Sequence, residues 1–583
     1  MLDGAPDGRI YRRFPAAGRE QAAAQARLTA SHLAGLGLYT VAQRWDEAAR
    51  VLTVVYAPPA WAPGRARSRR RRTAVALGLL VLLLVSGSVA VRLSPAALPG
   101  AAADPRDGST PGTRSSLPPA ERYSGPVPHF EPAECRSDWL FGADAECGDL
   151  IVAEDRTRPD GRRISIHVAI QRAWSSRPQP DPVVYLDGGP GFPPLVEGFW
   201  SHPFLDDRDL IVFDQRGTGL SQPSLDCPEV VYVFLREEID ALRDCRRRLL
   251  QQGIDLTTYN SAASAADLED LRVALGYETW NLYGVSYGSR LALTAMRDHP
   301  AGIRSAILDS VYPLQQDIYA EGPRNAQRAF DKLFGACAVD EACHQSFPLL
   351  EERFYEVVER LDRRPRRVGD LLGLGGTHVD GDIFITLLFH RLYLTDYLAD
   401  LPISLDAFWN DEWDELEYWL WEVIGAGRGA APTAGLLAIS EGFHYSVQCA
   451  EELPFAERSL LGQEEPGVRL ALTRAFEWQP MIDTCAMWAV PQADARENLP
   501  VVSAVPALLL AGTYDPITPP SWAQAAARTL SAGQLFVVPG VGHGVLGTSY
   551  CIDDVVLQFL ARPSAAVDGG CVRRLSEPQF SLP

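Results

Sequence analysis

The segment that most constrains this chain is five residues long. Gly284-Val285-Ser286-Tyr287-Gly288 directly follows the apolar run WNLY and leads into SRLALTAMRDH, which reads as a helix. Strand, tight turn and helix in that order put Ser286 at a corner, its Oγ lifted clear of a sheet and near the positive end of a helix. Side chains beside so sharp a turn would clash, and glycine stands on both flanks. A bare G-x-S-x-G also occurs in ordinary Gly-rich strand–helix loops. The strand before it and the helix after it select the nucleophile reading.

Short apolar runs ending near Gly or Asp recur on either side of this corner. DLIVAEDR and ISIHVAIQ flank a Pro159-Asp160-Gly161 turn and predict a hairpin. PVVYLDGG, DLIVFDQRG, WNLYGVSYG and IRSAILDS follow, then PALLLAGTYD and QLFVVPGVGH late in the chain. Continuous apolar strands are expected where helices cover both faces of a parallel sheet. Helices are expected over 264–275, with Ser264 as N-cap and Gly276 as stop, and over 521–530. Alternating β and α elements predict an α/β fold with a mainly parallel sheet.

A serine hydroxyl attacks only when a base takes its proton, and the base needs an orienting acid. In chain order these should follow the serine at strand ends. Asp515 follows LLLAGTY and His543 follows FVVPGVG, and no other histidine lies beyond Asp515. Asp309, ending AILDS, is the competing acid and reads as structural. Negative charge developing on a substrate carbonyl needs fixed N–H donors. The backbone of Tyr287 should supply one, and Gly189 in the Asp187-Gly188-Gly189-Pro190-Gly191 loop the other. A plain tight turn is the rival reading of that loop; its place after an early strand favours the oxyanion role.

These motifs together carry a resemblance. DGGPG resembles the HGGPG box of the prolyl aminopeptidase group of α/β-hydrolases, with Asp187 where His is usual. Residues 214–221, DQRGTGLS, match that group's DQRGxGxS element, and GTYDPITPP and GVGHG look like the acid and base segments of the secreted tripeptidyl aminopeptidase branch. The resemblance spans about residues 130–575. It implies an α/β-hydrolase fold, no cofactor, and a serine peptidase acting on free peptide N-termini. Arg216 and Asp214 then read as loop braces. Cleavage from a free N-terminus needs a carboxylate for the substrate ammonium beside an apolar pocket. Glu451 and Glu452, in YSVQCAEELPF, are the candidates; solvated glutamates at a helix end are the bland alternative.

The alternation breaks between the first core part (133–313) and the second (501–583), and 314–500 reads as an inserted helical cap. Its run FWNDEWDELEYWLWEV reads as an amphipathic helix packing its aromatics. Ahead of the core, residues 73–91 form an uncharged apolar run. Nineteen residues span about 28 Å, enough for a bilayer core. Six arginines between 65 and 72 precede it and only Arg92 follows closely, which places 1–72 in the cytoplasm and the rest outside. A cleavable signal is the rival, but 72 residues are too many for its leading segment. Residues 92–132, rich in Pro, Ala and Gly, read as an extended linker. Residues 1–72 form a small cytoplasmic segment with a helical stretch over 19–33 and candidate strands TVAQRW and RVLTVVY.

All ten cysteines follow the apolar run, as expected of an exported, disulfide-forming domain. Pairing sequential neighbours predicts Cys135–Cys147, Cys227–Cys245, Cys337–Cys343, Cys449–Cys485 and Cys551–Cys571. No C-x-x-C, H-E-x-x-H or clustered histidine supports a metal. A formal charge of -20, with the basic excess confined to 1–72, argues against nucleic acid as a partner. The readings in contention are a membrane-anchored serine aminopeptidase, an esterase or lipase of small esters, and a silent surface-binding protein. The intact Ser286, Asp515 and His543 set argues against the last.

Overall fold

The computed structural model describes residues 3–4, 10–15, 39–46, 51–57, 126–135, 145–197, 203–230, 238–368, 377–416, 419–420, 439–461 and 463–583. The chain divides into two compact units, Met1–Arg114 and Ser115–Pro583. In the first, β1 (Asp3–Gly4), β2 (Ile10–Pro15), β3 (Tyr39–Asp46) and β4 (Val51–Ala57) form an antiparallel sheet in the order β1-β2-β4-β3. TVAQRW and RVLTVVY are thus neighbouring strands. The expected helix over 19–33 and the expected membrane span over 73–91 lie outside the described residues. Among the described residues no helix is long and apolar enough to cross a membrane.

The second unit is built on a nine-stranded sheet. Its strands are β5 (His129–Ala133), β6 (Ala145–Ala153), β7 (Arg163–Gln171), β8 (Val183–Leu186), β9 (Leu210–Phe213), β10 (Trp280–Val285), β11 (Ile303–Asp309), β14 (Ala507–Gly512) and β15 (Gly533–Val538). A separate two-stranded ribbon, β12 (Arg366–Val368) with β13 (Thr377–Val379), lies in the insertion. The order across the large sheet is β15-β14-β11-β10-β8-β9-β7-β6-β5. From β9 through β15 every pairing is parallel; β7/β9, β6/β7 and β5/β6 are antiparallel. The predicted hairpin is β6–β7.

The purely apolar strands are buried on both faces. Leu508 and Leu510 join Val212 and Ile307 in one core cluster, while Leu509 and Ala511 join Ile211 and Leu308 in the other, as the two-residue side-chain period requires. Helix Tyr287–Asp298 packs in the second of these clusters and helix Tyr550–Ala561 in the first.

Three local expectations are corrected. The linker does not run to 132, because 129–133 is the edge strand β5, with Phe130 paired to Leu150 and its ring filling the space above Gly148. The helix expected over 264–275 spans Ser261–Ala274; its N-cap is Asn260, whose side chain accepts from Ala263 N, and Ser264 is an interior position. The helix expected over 521–530 spans Pro520–Ala527.

The insertion divides in two. Helices Ile318–Val339, Leu350–Arg363, Gly381–Tyr393 and Leu401–Trp409 bury their own core around Phe330, Phe354, Phe384 and Phe408. From Ile439 onward the chain returns to the sheet, where Phe443, Val447, Cys449 and Trp488 join the main core. In the described part of the aromatic run, Trp413 stacks on Phe408, and the Arg353 and Arg360 guanidiniums cover Trp409 and Trp413, so these aromatics pack as expected, although not on one helix, since the helix ends at Trp409. All five predicted disulfides are present, and no cysteine is free.

Candidate active site

Ser286 stands between β10 and helix Tyr287–Asp298 with φ 58 and ψ -125. A left-handed conformation at a non-glycine residue is strained and persists only where its surroundings fix it. Here the flanking glycines do so. A Cβ on Gly288 would overlap the carbonyl of Leu186 at the end of β8, and one on Gly284 would overlap the backbone of Gly288. Ser289 N donates to Ser286 O at 2.9 Å, closing the first helical turn.

Asp515 and His543 follow β14 and β15. His543 Nδ1 lies 2.9 Å from Asp515 Oδ2. The other carboxylate oxygen accepts from the amides of Ile517 and Thr518 at 3.0 and 2.8 Å, and the Thr518 hydroxyl donates to Oδ2 at 2.7 Å. Burial would raise the Asp515 carboxyl, but His543 and these donors outweigh it and hold the group below the usual range. For His543 burial works downward and the Asp515 anion more than reverses it, so the imidazole is more basic than a free histidine. With Nδ1 committed to Asp515, Nε2 is the nitrogen left for other work.

Asp309, the competing acid, ends β11 and is also fully buried. Its carboxylate accepts from Val545 N at 2.8 Å and Leu546 N at 2.9 Å, two and three residues beyond the histidine. It holds the loop that carries His543, and burial raises its carboxyl to about 6. The acid bonded to the imidazole is Asp515.

The loop after β8 approaches from the other side. A Cβ on Gly188 would sit 3.1 Å from Ser286 Cβ and 3.5 Å from its Oγ, so this backbone passes directly beside the serine. Gly189 follows with φ +108, a conformation that favours glycine. Tyr287 N is the first amide of its helix and has no intrahelical acceptor. Arg216 and Asp214 are braces: Arg216 makes a two-pronged pair with Asp267 at 2.7 Å and also donates to Glu154 O and Thr258 O. Asp214 accepts from Leu195 N and Leu220 N.

Asp187, Gly188, Gly189, Ser286, Thr518 and His543 all line one cavity of about 510 Å³. Its remaining walls include Phe192, Ile318, His390, Tyr393, Leu394 and Ile439. Several of these escaped sequence reasoning. Tyr393 O accepts from His543 N at 2.8 Å, and its ring lies 4.7 Å from the imidazole. Arg328, from the insertion's first helix, donates to Thr513 O at 2.8 Å and to Asp515 O, steadying the acid turn. Thr518 alone had a local signal, three residues after the acid in DPIT.

Glu451 and Glu452 differ from both readings given to them. They lie on a π-helical turn, Gln448–Glu452, and both are buried. Glu451 accepts from Ser261 N and Ser261 Oγ, each at 2.6 Å. Glu452 accepts from Tyr312 OH at 2.6 Å, with Arg290 Nη2 at 2.8 Å from its other oxygen. Neither lines the cavity; Glu452 reaches it only through Tyr312, which does. The expected direct contact with substrate is corrected, because a buried arginine already occupies the carboxylates.

A mainly parallel sheet with its helices, a strained serine at a strand–helix corner and an aspartate-bonded histidine facing the same cavity define a serine hydrolase of the α/β-hydrolase fold. Residues 181–357 match the family described as alpha/beta hydrolase fold, and residues 472–571 match the one described as TAP-like protein. These two matches, with the relatives below, support the TAP-like α/β-hydrolase family. Serine protease Hip1 of Mycobacterium tuberculosis H37Rv is 25% identical over 71% of this chain and 85% of its own length. Carboxylesterase B of M. tuberculosis CDC 1551 is 24% identical over 79% of this chain and 91% of its own. Tripeptidyl aminopeptidase of Streptomyces lividans is 27% identical over 34% of this chain and 41% of its own.

Proposed function

We propose that this serine hydrolase is a peptidase that cleaves from free N-termini through an acyl-enzyme on Ser286. The observation that carries the reading is His543, held by the buried Asp515 at 2.9 Å and lining the same cavity as Ser286. Ser286 Oγ attacks the carbonyl carbon while His543 Nε2 takes its proton. The carbonyl oxygen becomes an oxyanion held by the N–H groups of Tyr287 and Gly189. Collapse breaks the C–N bond, and His543 returns the proton to the leaving amine. Water activated by the same imidazole then hydrolyses the ester. Asp515 keeps the proton on Nδ1 and favours the imidazolium. Glu451 and Glu452 serve as positioning residues, tying the π-turn to Ser261, Arg290 and Tyr312. The similarity to the serine protease Hip1 and the tripeptidyl aminopeptidase supports peptide substrates.

An esterase is the second reading. The apolar walls from Phe192, Ile318, Leu394 and Ile439 favour it. Matched peptide anilides and short-chain nitrophenyl esters, with free and acetylated amines, decide between them. The peptidase reading expects the free-amine anilides to be turned over and acetylation to lower kcat/KM at least about tenfold. Turnover of the esters alone replaces it with the esterase.

We also propose that residues 73–91 anchor the protein with the catalytic unit outside the cytoplasm. The arginine-flanked apolar run and five disulfides support this. Protease shaving of intact cells should degrade the catalytic unit and spare residues 1–72; full protection contradicts the topology.

A further inference from the structure

The cavity holds one carboxylate that the chemistry above leaves unused. Asp187, at the end of β8, accepts from its neighbour's amide, Gly188 N, at 2.7 Å and from Tyr185 OH at 3.0 Å, both at Oδ1. Oδ2 takes no hydrogen bond from the described residues, and the side chain lines the cavity one residue before the glycine that touches Ser286. Among the described residues no cation pairs with Asp187, and its charge adds to that of the buried acid Asp214. Glu451 and Glu452 are the contrast, since Arg290 already lies against them. The cavity's own arginine, Arg391, belongs to the insertion and stacks on Tyr397 and Trp419.

An uncompensated carboxylate in a largely apolar cavity is completed by a cation that the ligand brings. Its place in the chain sets which cation. The α-ammonium of an N-terminal residue lies two bonds from that residue's carbonyl carbon. Each further residue ahead of the scissile bond moves the ammonium away by about 3.5 Å, so a tripeptidyl group carries it about 7 Å farther out. A carboxylate adjoining the oxyanion loop suits the short distance. We infer that Asp187 binds the α-ammonium of the residue whose own carbonyl Ser286 attacks, so that the enzyme removes one residue per turnover. The inference rests on the peptidase reading above. Burial raises the Asp187 carboxyl to about 6, opposed only by Gly188 N and Tyr185 OH, which fits a site that an incoming ammonium would keep ionised.

The test is a length series of coumarin amides ending in the same residue: Leu, Ala-Leu and Ala-Ala-Leu, each free and N-acetylated. The single-residue amide should exceed the tripeptidyl one at least about tenfold in kcat/KM, and acetylating it should cost about ten- to a hundredfold. Asp187→Asn keeps an acceptor for Gly188 and Tyr185 and removes only the charge. In that variant the penalty for acetylating the single-residue amide should shrink to under about threefold, because both changes delete one contact. A free-amine requirement combined with a tripeptidyl preference overturns the Asp187 assignment and leaves the peptidase reading standing. An acetylation penalty undiminished in Asp187→Asn overturns it as well. Equal cleavage of free and acetylated amides in the wild type removes both. Should the variant fail to fold, the wild-type length series still decides.

Discussion

The cavity's floor hangs on the ends of four strands of one sheet: the Asp187–Phe192 loop on β8, Ser286 on β10, the acid turn on β14 and the histidine loop on β15. Its roof, with Ile318, His390, Tyr393, Leu394 and Ile439, comes from the insertion. Floor groups are set by backbone that cannot move without breaking sheet pairing. Roof groups depend on side chains packed against one another. Chemistry and the recognition of the substrate's charge therefore belong to the floor and apolar fit to the roof, and the two should respond differently to substitution.

The largest effect should come from the floor. Ser286→Ala should abolish turnover and labelling by a serine-directed phosphonate while the melting temperature holds; residual labelling at any other serine would break the assignment. Asp515→Asn should lower kcat on the order of 10⁴-fold, since it strands the wrong tautomer at the base. Its pH profile sharpens the point. Wild-type activity should fall with acidification through a pKa above the ordinary histidine value of 6.5, because the Asp515 anion favours the imidazolium. Without that anion the imidazole becomes less basic, so the variant's acid limb should move to lower pH. An unmoved limb would mean that another group titrates.

Asp309→Asn tests the neighbouring strand end. The amide loses the charge that strengthens these bonds and puts an NH2 where Oδ1 accepts from Val545 N, so stability should drop by about 1–3 kcal/mol in urea unfolding. Activity should fall far less than in Asp515→Asn. Equal losses would erase the distinction between the two acids. The smallest effect belongs to the roof: Ile439→Ala should shift KM by less than about tenfold, with kcat little changed, as loss of some apolar contact predicts. A kcat collapse there would show that the roof also holds the floor in register.

This split parallels what could be read from the chain. The corner at Ser286, the β6–β7 hairpin and the order of acid and histidine are local patterns, the first complete within five residues and each of the others within about thirty. The strand β5 was hidden because Pro132 and a Pro-rich approach resemble a linker, while its partner β6 lies beyond residue 145. Glu451 and Glu452 could be located but not oriented. What turns them inward is Arg290, more than 150 residues earlier, together with Ser261 and Tyr312. The choice between Asp309 and Asp515 likewise rests on the folded histidine loop, whose imidazole meets Asp515 and whose Val545 and Leu546 amides meet Asp309.

The disulfides carry a consequence for how the chain matures. Every bridge joins two consecutive cysteines, across separations of 12, 18, 6, 36 and 20 residues. A catalytic unit delivered in chain order from its anchor into an oxidant therefore always presents, as the next thiol to arrive, the native partner of the one still waiting. Indiscriminate oxidation during delivery gives the native set, so an isomerase is dispensable on that route. The same chain released all at once, reduced and unfolded, faces ten thiols simultaneously and loses that order.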